Sequence, residues 1–163
     1  MKNSIAILFA LLSVGIATNG LADERPNILF CIADDASYPH MGAYGTEWVK
    51  TPGFDRVARE GLLFTHAYTP NAKCAPSRAC ILTGKHSHLN GKIDNDFPFD
   101  TTNVTFPQLF QETGYQTAMF GKLHFGNNPK GFDQFKILPG QGSYYNPDFI
   151  TKNEGNIRVE GYV

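Results

Sequence analysis

The sequence predicts an α/β fold with a central, largely parallel mixed sheet flanked by helices. Three observations predict it. Apolar runs of strand length alternate with segments that carry helix start and stop signals. The first apolar run is continuous rather than alternating, the pattern of a strand buried on both faces. Polar clusters follow the expected strand ends, where ligand crevices lie in open α/β sheets.

Taken in order, residues 27–33 (NILFCIA) read as the first strand, stopped by Asp34-Asp35. Thr51 as N-cap and Pro52 in the first turn open a helix through Glu60, and Gly61 stops it. Leu62 to Tyr68 reads as a second strand, and Pro76 to Leu82 as a helix entered through a turn at Cys74 and closed by Thr83-Gly84. A polar loop covers residues 86–103. Phe106 to Glu112 is the next helix, ended by Gly114, and Tyr115 to Phe120 the next strand, with Lys122 and His124 at its carboxyl end. Beyond Pro129 no period is evident, and neither a repeat nor a low-complexity tract occurs.

The first 22 residues stand apart from this pattern. Lys2, the apolar run Ile5 to Ile16 and the small residues Gly20 and Ala22 have the layout of a cleaved export signal. The run is short for a bilayer span, so stable membrane insertion is not expected. The expected product is periplasmic or secreted. At 163 residues the chain is long enough for one domain with a core. A net charge of −1 gives no general attraction to nucleic acid. Aromatic residues reach 13%, which suits a large core or a carbohydrate-facing cleft.

Three cysteines, Cys31, Cys74 and Cys80, are an odd count for a closed disulfide framework in an exported chain. Cys31 and Cys80 lie in apolar runs and read as buried small hydrophobes. Cys74 has polar company. Pro76 suits a first helical turn, which puts Cys74 among amides without intrahelical partners, where an anion is favoured. Arg78, one turn on, can hold an oxyanion or an ionised nucleophile. The residues alone describe a nucleophile in an anion-binding turn; a buried Cys beside a capping Arg is the plain alternative. Asp34 and Asp35 repel unless a proton or a hard cation intervenes, although such pairs also occur in solvated loops. Lys122 and His124, two apart on an extended segment, would share a face, where Lys can hold an anionic oxygen and His can pass a proton.

Together these residues carry a resemblance. Cys74-Ala75-Pro76-Ser77-Arg78 with Ala79-Cys80-Ile81-Leu82-Thr83-Gly84 resembles the first motif of type I, formylglycine-dependent sulfatases. Gly114-Tyr115-Gln116-Thr117 leading to Gly121-Lys122-Leu123-His124 resembles the second, and Arg25-Pro26-Asn27-Ile28 running into Asp34-Asp35 the N-terminal strand and metal ligands. The likeness runs from about Arg25 to at least Phe135. Leu123 departs from the family's usual Trp and Phe120 from a small or β-branched residue, both at packing positions.

The resemblance implies the alkaline-phosphatase-like sandwich, with residues 23–163 as the N-terminal part of a longer catalytic domain. It implies hydrolysis of sulfate esters on a sulfated small molecule or glycan. Cys74 would be oxidised to Cα-formylglycine by a maturation enzyme and serve, hydrated, as nucleophile and metal ligand. Asp34 and Asp35 would bind Ca2+, with Mg2+ as an alternative. Arg78 and Lys122 would stabilise negative charge, and His124 would protonate the leaving alcohol. His86, His88 and Asn90 are candidate sugar contacts, with a solvated loop as the alternative reading. His40 reads as a loop-packing residue and His66 as a core histidine. Two other functions remain open: phosphonate or phosphate ester hydrolysis by the same machinery, and an inactive sulfatase-like chain.

Overall fold

The computed structural model describes residues 25–163. The expected export signal, residues 1–22, lies outside the described residues. The chain divides into two units, residues 1–32 and 33–163. Of the first, the described part is Arg25 to Ile32, which has no helix or strand and exposes Leu29 and Cys31.

In the second unit two 3-10 turns, Tyr38–His40 and Gly42–Tyr44, precede the helices α1 (Pro52–Glu60), α2 (Cys74–Thr83), α3 (Ser87–Asn90) and α4 (Phe106–Glu112). The strands β1 (Ala118–Lys122), β2 (Gln134–Leu138), β3 (Asp148–Thr151) and β4 (Gly155–Arg158) follow, in that order across the sheet. β1 and β2 are parallel, with Ala118 opposite Gln134, whereas β2–β3 and β3–β4 are antiparallel. The sheet is therefore mixed, and the class is α/β as the sequence predicts.

Local signals set the helices. Pro52 opens α1 and Gly61 closes it, its amide donating to the Val57 carbonyl. Thr105 and Gln108 flank the start of α4 as a reciprocal pair, the Thr105 amide donating to Gln108 Oε1 at 3.0 Å. Gly131 has φ +81°, and a Cβ there would lie 2.5 Å from the Gln108 nitrogen. Only glycine lets the loop before β2 pass the first turn of α4 so closely.

The strand expectations fare differently. Residues 27–33 and 62–68 form no strand, and Leu29, Leu62 and Phe64 are mostly exposed. A strand exists by pairing, and among the described residues no ladder is offered to either run. Cys31 and His66 are consequently exposed rather than buried; His66 Nδ1 meets the Thr65 hydroxyl at 3.0 Å. β1 begins three residues later than expected. Its delay has a cause: the Asp133 carboxylate accepts the Thr117 amide at 2.8 Å and the Thr117 hydroxyl at 3.1 Å, so the chain is still tied to the loop at 117. β2, β3 and β4 occupy the stretch where the sequence shows no period.

The core sits between α2 and the β1–β2 pair. Ala75 and Ala79, one turn apart and fully buried, pack with Leu123, Phe125, Phe135 and Ile137, and Phe99 stacks on Phe125 at 4.5 Å. Small side chains on this face let α2 approach closely, which fixes its first turn near the end of β1. Among the described residues no helix is long and apolar enough to cross a membrane.

Candidate active site

The first turn of α2, the end of β1 and the turn at Asp34-Asp35 meet in one charged cluster. Cys74 is the first residue of α2 and Arg78 lies one turn later, on a face adjoining the buried Ala75/Ala79 stripe. The Arg78 guanidinium donates to the Lys122 carbonyl at 2.6 Å and to Asp34 Oδ1 at 2.9 Å. Lys122 Nζ donates to Asp34 Oδ2 at 2.7 Å and lies 3.3 Å from Cys74 Sγ. Arg78 and Lys122 side chains are less than a tenth exposed, against about a third for Asp34.

Electrostatics follow from that geometry. The hydrogen bond from Lys122, and then the one from Arg78, holds the Asp34 carboxyl below the usual range against the effect of burial. Burial acts to lower the Lys122 ammonium, but its bonds to Asp34 and Cys74 together carry it above its ordinary value. His124 is pushed down, first by burial and then by the positive charges of Lys122, Lys92 and Arg78. The resting cluster thus favours a neutral imidazole.

His124 departs from the extended backbone geometry of β1. Its φ is +64°, in the left-handed region, and Leu123 between them is buried in the core. Asp35 has φ +56°. Each such conformation in a non-glycine residue costs of order 1–3 kcal/mol and persists only where surrounding contacts enforce it. His124 Nδ1 is buried without a hydrogen-bond partner among the described residues.

One ligand atom each from Asp34, Asp35 and Cys74 lie within 4.8 Å of one another. Two carboxylates suit a hard cation. A thiol suits it poorly, and the donor set becomes all-oxygen only if residue 74 carries oxygen. The hydrogen bonds from Arg78 and Lys122 leave each Asp34 oxygen a further lone pair, the usual arrangement for an orienting partner of a ligating carboxylate.

The expected anion-binding turn is narrower than the sequence suggests. Pro76 has no amide hydrogen, and the Ala75 amide donates to Asn95 Oδ1 at 3.0 Å. Most of the capacity for an anion therefore rests on the Arg78 and Lys122 side chains. Asn95 and the buried Lys92, whose ammonium donates to the Phe97 carbonyl, were not legible as site residues. The Asp94-Asn95-Asp96 run signals only a turn.

The loop candidates separate. His86 and His88 are exposed, with stacked rings 5.8 Å apart. His40 packs edge-on against Trp48 and accepts the Ser37 amide, as a loop-packing residue should. Asn90 corrects the expectation of a sugar contact: it is 1% exposed, its amide nitrogen donates to the Lys85 carbonyl at 2.9 Å, and its oxygen accepts the Lys92 amide at 2.8 Å. It ties the loop instead. Asn90→Ala is expected to destabilise the fold by about 2–3 kcal/mol, because it strands buried polar groups; urea unfolding measures this, and a loss under about 0.5 kcal/mol contradicts it.

The family model described as Sulfatase matches residues 26–162. An N-acetylglucosamine-6-O-sulfatase of Bacteroides thetaiotaomicron is 47% identical over 165 residues, covering 98% of this chain and 29% of that protein. A human N-acetylgalactosamine-6-sulfatase is 34% identical over 171 residues, covering 89% of this chain and 31% of that protein. A solved structure of a protein in complex with its substrate D-glucosamine-2-N,6-O-disulfate superposes with a TM-score of 0.82 at 48% identity, over 85% of this chain and 28% of that one. The chain spans less than a third of the length of these relatives.

Proposed function

Since the chain belongs to the sulfatase family, we propose that it carries the reactive centre of an exported carbohydrate sulfatase whose target is the 6-O-sulfate of a glucosamine-type sugar. One observation carries the reading. Asp34, Cys74, Arg78 and Lys122, as far as 88 positions apart, join in a single hydrogen-bonded cluster that combines a nucleophile position, two cations and a carboxylate. The sugar and the position of its ester are inferred from the relatives named N-acetylglucosamine-6-O-sulfatase and bound to a glucosamine disulfate. Export is inferred from residues 1–22.

Residues 34, 35 and 74 would hold the divalent cation, Ca2+ by preference, which needs six to eight oxygens and so further ligands beyond these three. When bound, the cation supplies Lewis-acid polarisation of sulfate oxygens, and Cys74 oxidised to formylglycine supplies a hydrated aldehyde as nucleophile. The chain's own residues do the rest. Arg78 and Lys122 hold the sulfate oxygens where negative charge spreads in the transition state, and their burial removes competing water. Arg78 also fixes the Lys122 backbone, so the two cations keep their spacing. His124 gives a proton to the leaving sugar oxygen; burial first, and then the charges of Lys122, Lys92 and Arg78, disfavour the imidazolium at rest, and the incoming sulfate charge offsets the second of these.

The test uses the intact protein, coexpressed with a formylglycine-generating enzyme. Peptide mass spectrometry is expected to find residue 74 lighter by roughly 18 Da. Such protein is expected to release sulfate from glucosamine 6-O-sulfate, to lose about a hundredfold or more of its rate on chelation, and to recover with Ca2+. Converted protein that releases no sulfate from any sulfated amino sugar would sink the reading.

A further inference from the structure

We propose that Asn95 is a positioning residue for residue 74, capping α2 from a loop twenty positions further along the chain. The proposal rests on the sulfatase reading for its activity readout but has structural readouts of its own.

The need for such a cap is written into the turn. Lys73 occupies the N-cap position of α2, where Ser, Thr, Asp or Asn normally accepts a first-turn amide, and its side chain makes no capping bond. The Ala75 amide would then be buried and unpaired, since Ala75 is fully buried. Asn95 Oδ1 accepts it at 3.0 Å. That amide belongs to the peptide plane joining residues 74 and 75. Fixing the plane fixes the ψ angle of residue 74, and with it the direction of the side chain that stands 3.3 Å from Lys122 Nζ.

Asn95 can act this way because its loop is clamped on both sides. Before it, the Lys92 amide donates to Asn90 Oδ1 at 2.8 Å, and Asn71 Nδ2 reaches the Ile93 carbonyl at 3.5 Å. After it, the Asp96 amide donates to Asp94 Oδ1 at 2.9 Å, and the buried Lys92 ammonium holds the Phe97 carbonyl. A buried ammonium with one good acceptor resists leaving it. This rigid frame turns a local cap into a reference point for the nucleophile.

The experiment compares Asn95→Ala and Asn95→Asp with the parent in the intact protein. Rates are normalised to the fraction of residue 74 converted, read by mass, and thermal unfolding and deuterium exchange at the Ala75 amide are followed in parallel. Misplacing a nucleophile lowers kcat, so Asn95→Ala is expected to lose about tenfold in kcat with KM changed by less than about twofold. Asn95→Asp keeps an acceptor that the helix N-terminus favours and is expected to recover kcat to within about threefold of the parent. The Ala75 amide is expected to exchange slowly in the parent and the Asp variant and fast in the Ala variant. An unchanged kcat per converted molecule in Asn95→Ala, even with a lowered unfolding temperature, overturns the proposal, as does an Asp variant as slow as the Ala variant. If the parent itself releases no sulfate, the sulfatase reading falls separately. The positioning role is then decided by the Ala75 exchange pattern together with the rate at which unconverted Cys74 is alkylated. It stands if Asn95→Ala changes both while Asn95→Asp changes neither, and falls otherwise.

Discussion

Cys74→Ala in the intact protein abolishes sulfate release, by about ten-thousandfold or more, and leaves the fold nearly as stable as before. The two halves of this expectation have different sources. Loss of activity follows because the substitution removes the proposed nucleophile while its neighbours are committed elsewhere: Arg78 and Lys122 are cationic donors, and both Asp34 oxygens accept their hydrogen bonds. Retention of the fold follows because Cys74 is only half-buried, and its side-chain bond in the cluster is the 3.3 Å contact with Lys122. Replacing it with Ala leaves both core alanines of α2 in place. Sulfate release from a sulfated amino sugar, followed by ion chromatography, measures the first half, and the unfolding midpoint the second. A Cys74→Ala protein within tenfold of the parent rate removes residue 74 from the chemistry.

Arg78→Ala has the opposite profile, damaging fold and activity together. Arg78 is 7% exposed, and its guanidinium bonds at once to the Lys122 carbonyl at the end of β1 and to the Asp34 carboxylate. Removing it strands a carbonyl and leaves Asp34 with Lys122 as its remaining partner. Because the Asp34 side chain is about a third exposed, solvent recovers part of the loss. The expected destabilisation is about 2–3 kcal/mol, below the full figure for breaking a deeply buried pair. Activity is expected to fall about a thousandfold, since the same group would face developing charge on the sulfate. Arg78→Lys separates the roles. Its single ammonium can hold Asp34 or the carbonyl but lacks the planar fork that serves both, so part of the stability returns without the activity. Urea denaturation and kcat/KM measured on the same preparations decide this. Full activity in Arg78→Lys would show that only charge matters at this position.

The sequence by itself determined α1, α2 and α4 and the candidate reactive residues, whereas α3 lies within the stretch that reads as a polar loop. Pro52 and Gly61 bound α1, Thr105 and Gln108 open α4, and Gly84 closes α2, because helix hydrogen bonds and caps join residues three or four apart. The pentapeptide from Cys74 to Arg78, the Asp34-Asp35 pair and Lys122 were visible for the same reason: each is a local pattern. Only the tertiary structure decided what depends on distant partners. The run 27–33 has the composition of a buried strand yet forms no strand among the described residues, while β2, β3 and β4 pair across a stretch with no evident period. Strands take their hydrogen bonds from elsewhere in the chain, so composition alone does not locate them. Asn90 looked like a surface polar residue and is an internal tie; Asn95 looked like a turn residue and caps the helix that carries Cys74. Both facts arise from a side-chain amide meeting a backbone group that the fold brings to it, and no spacing along the chain encodes that meeting.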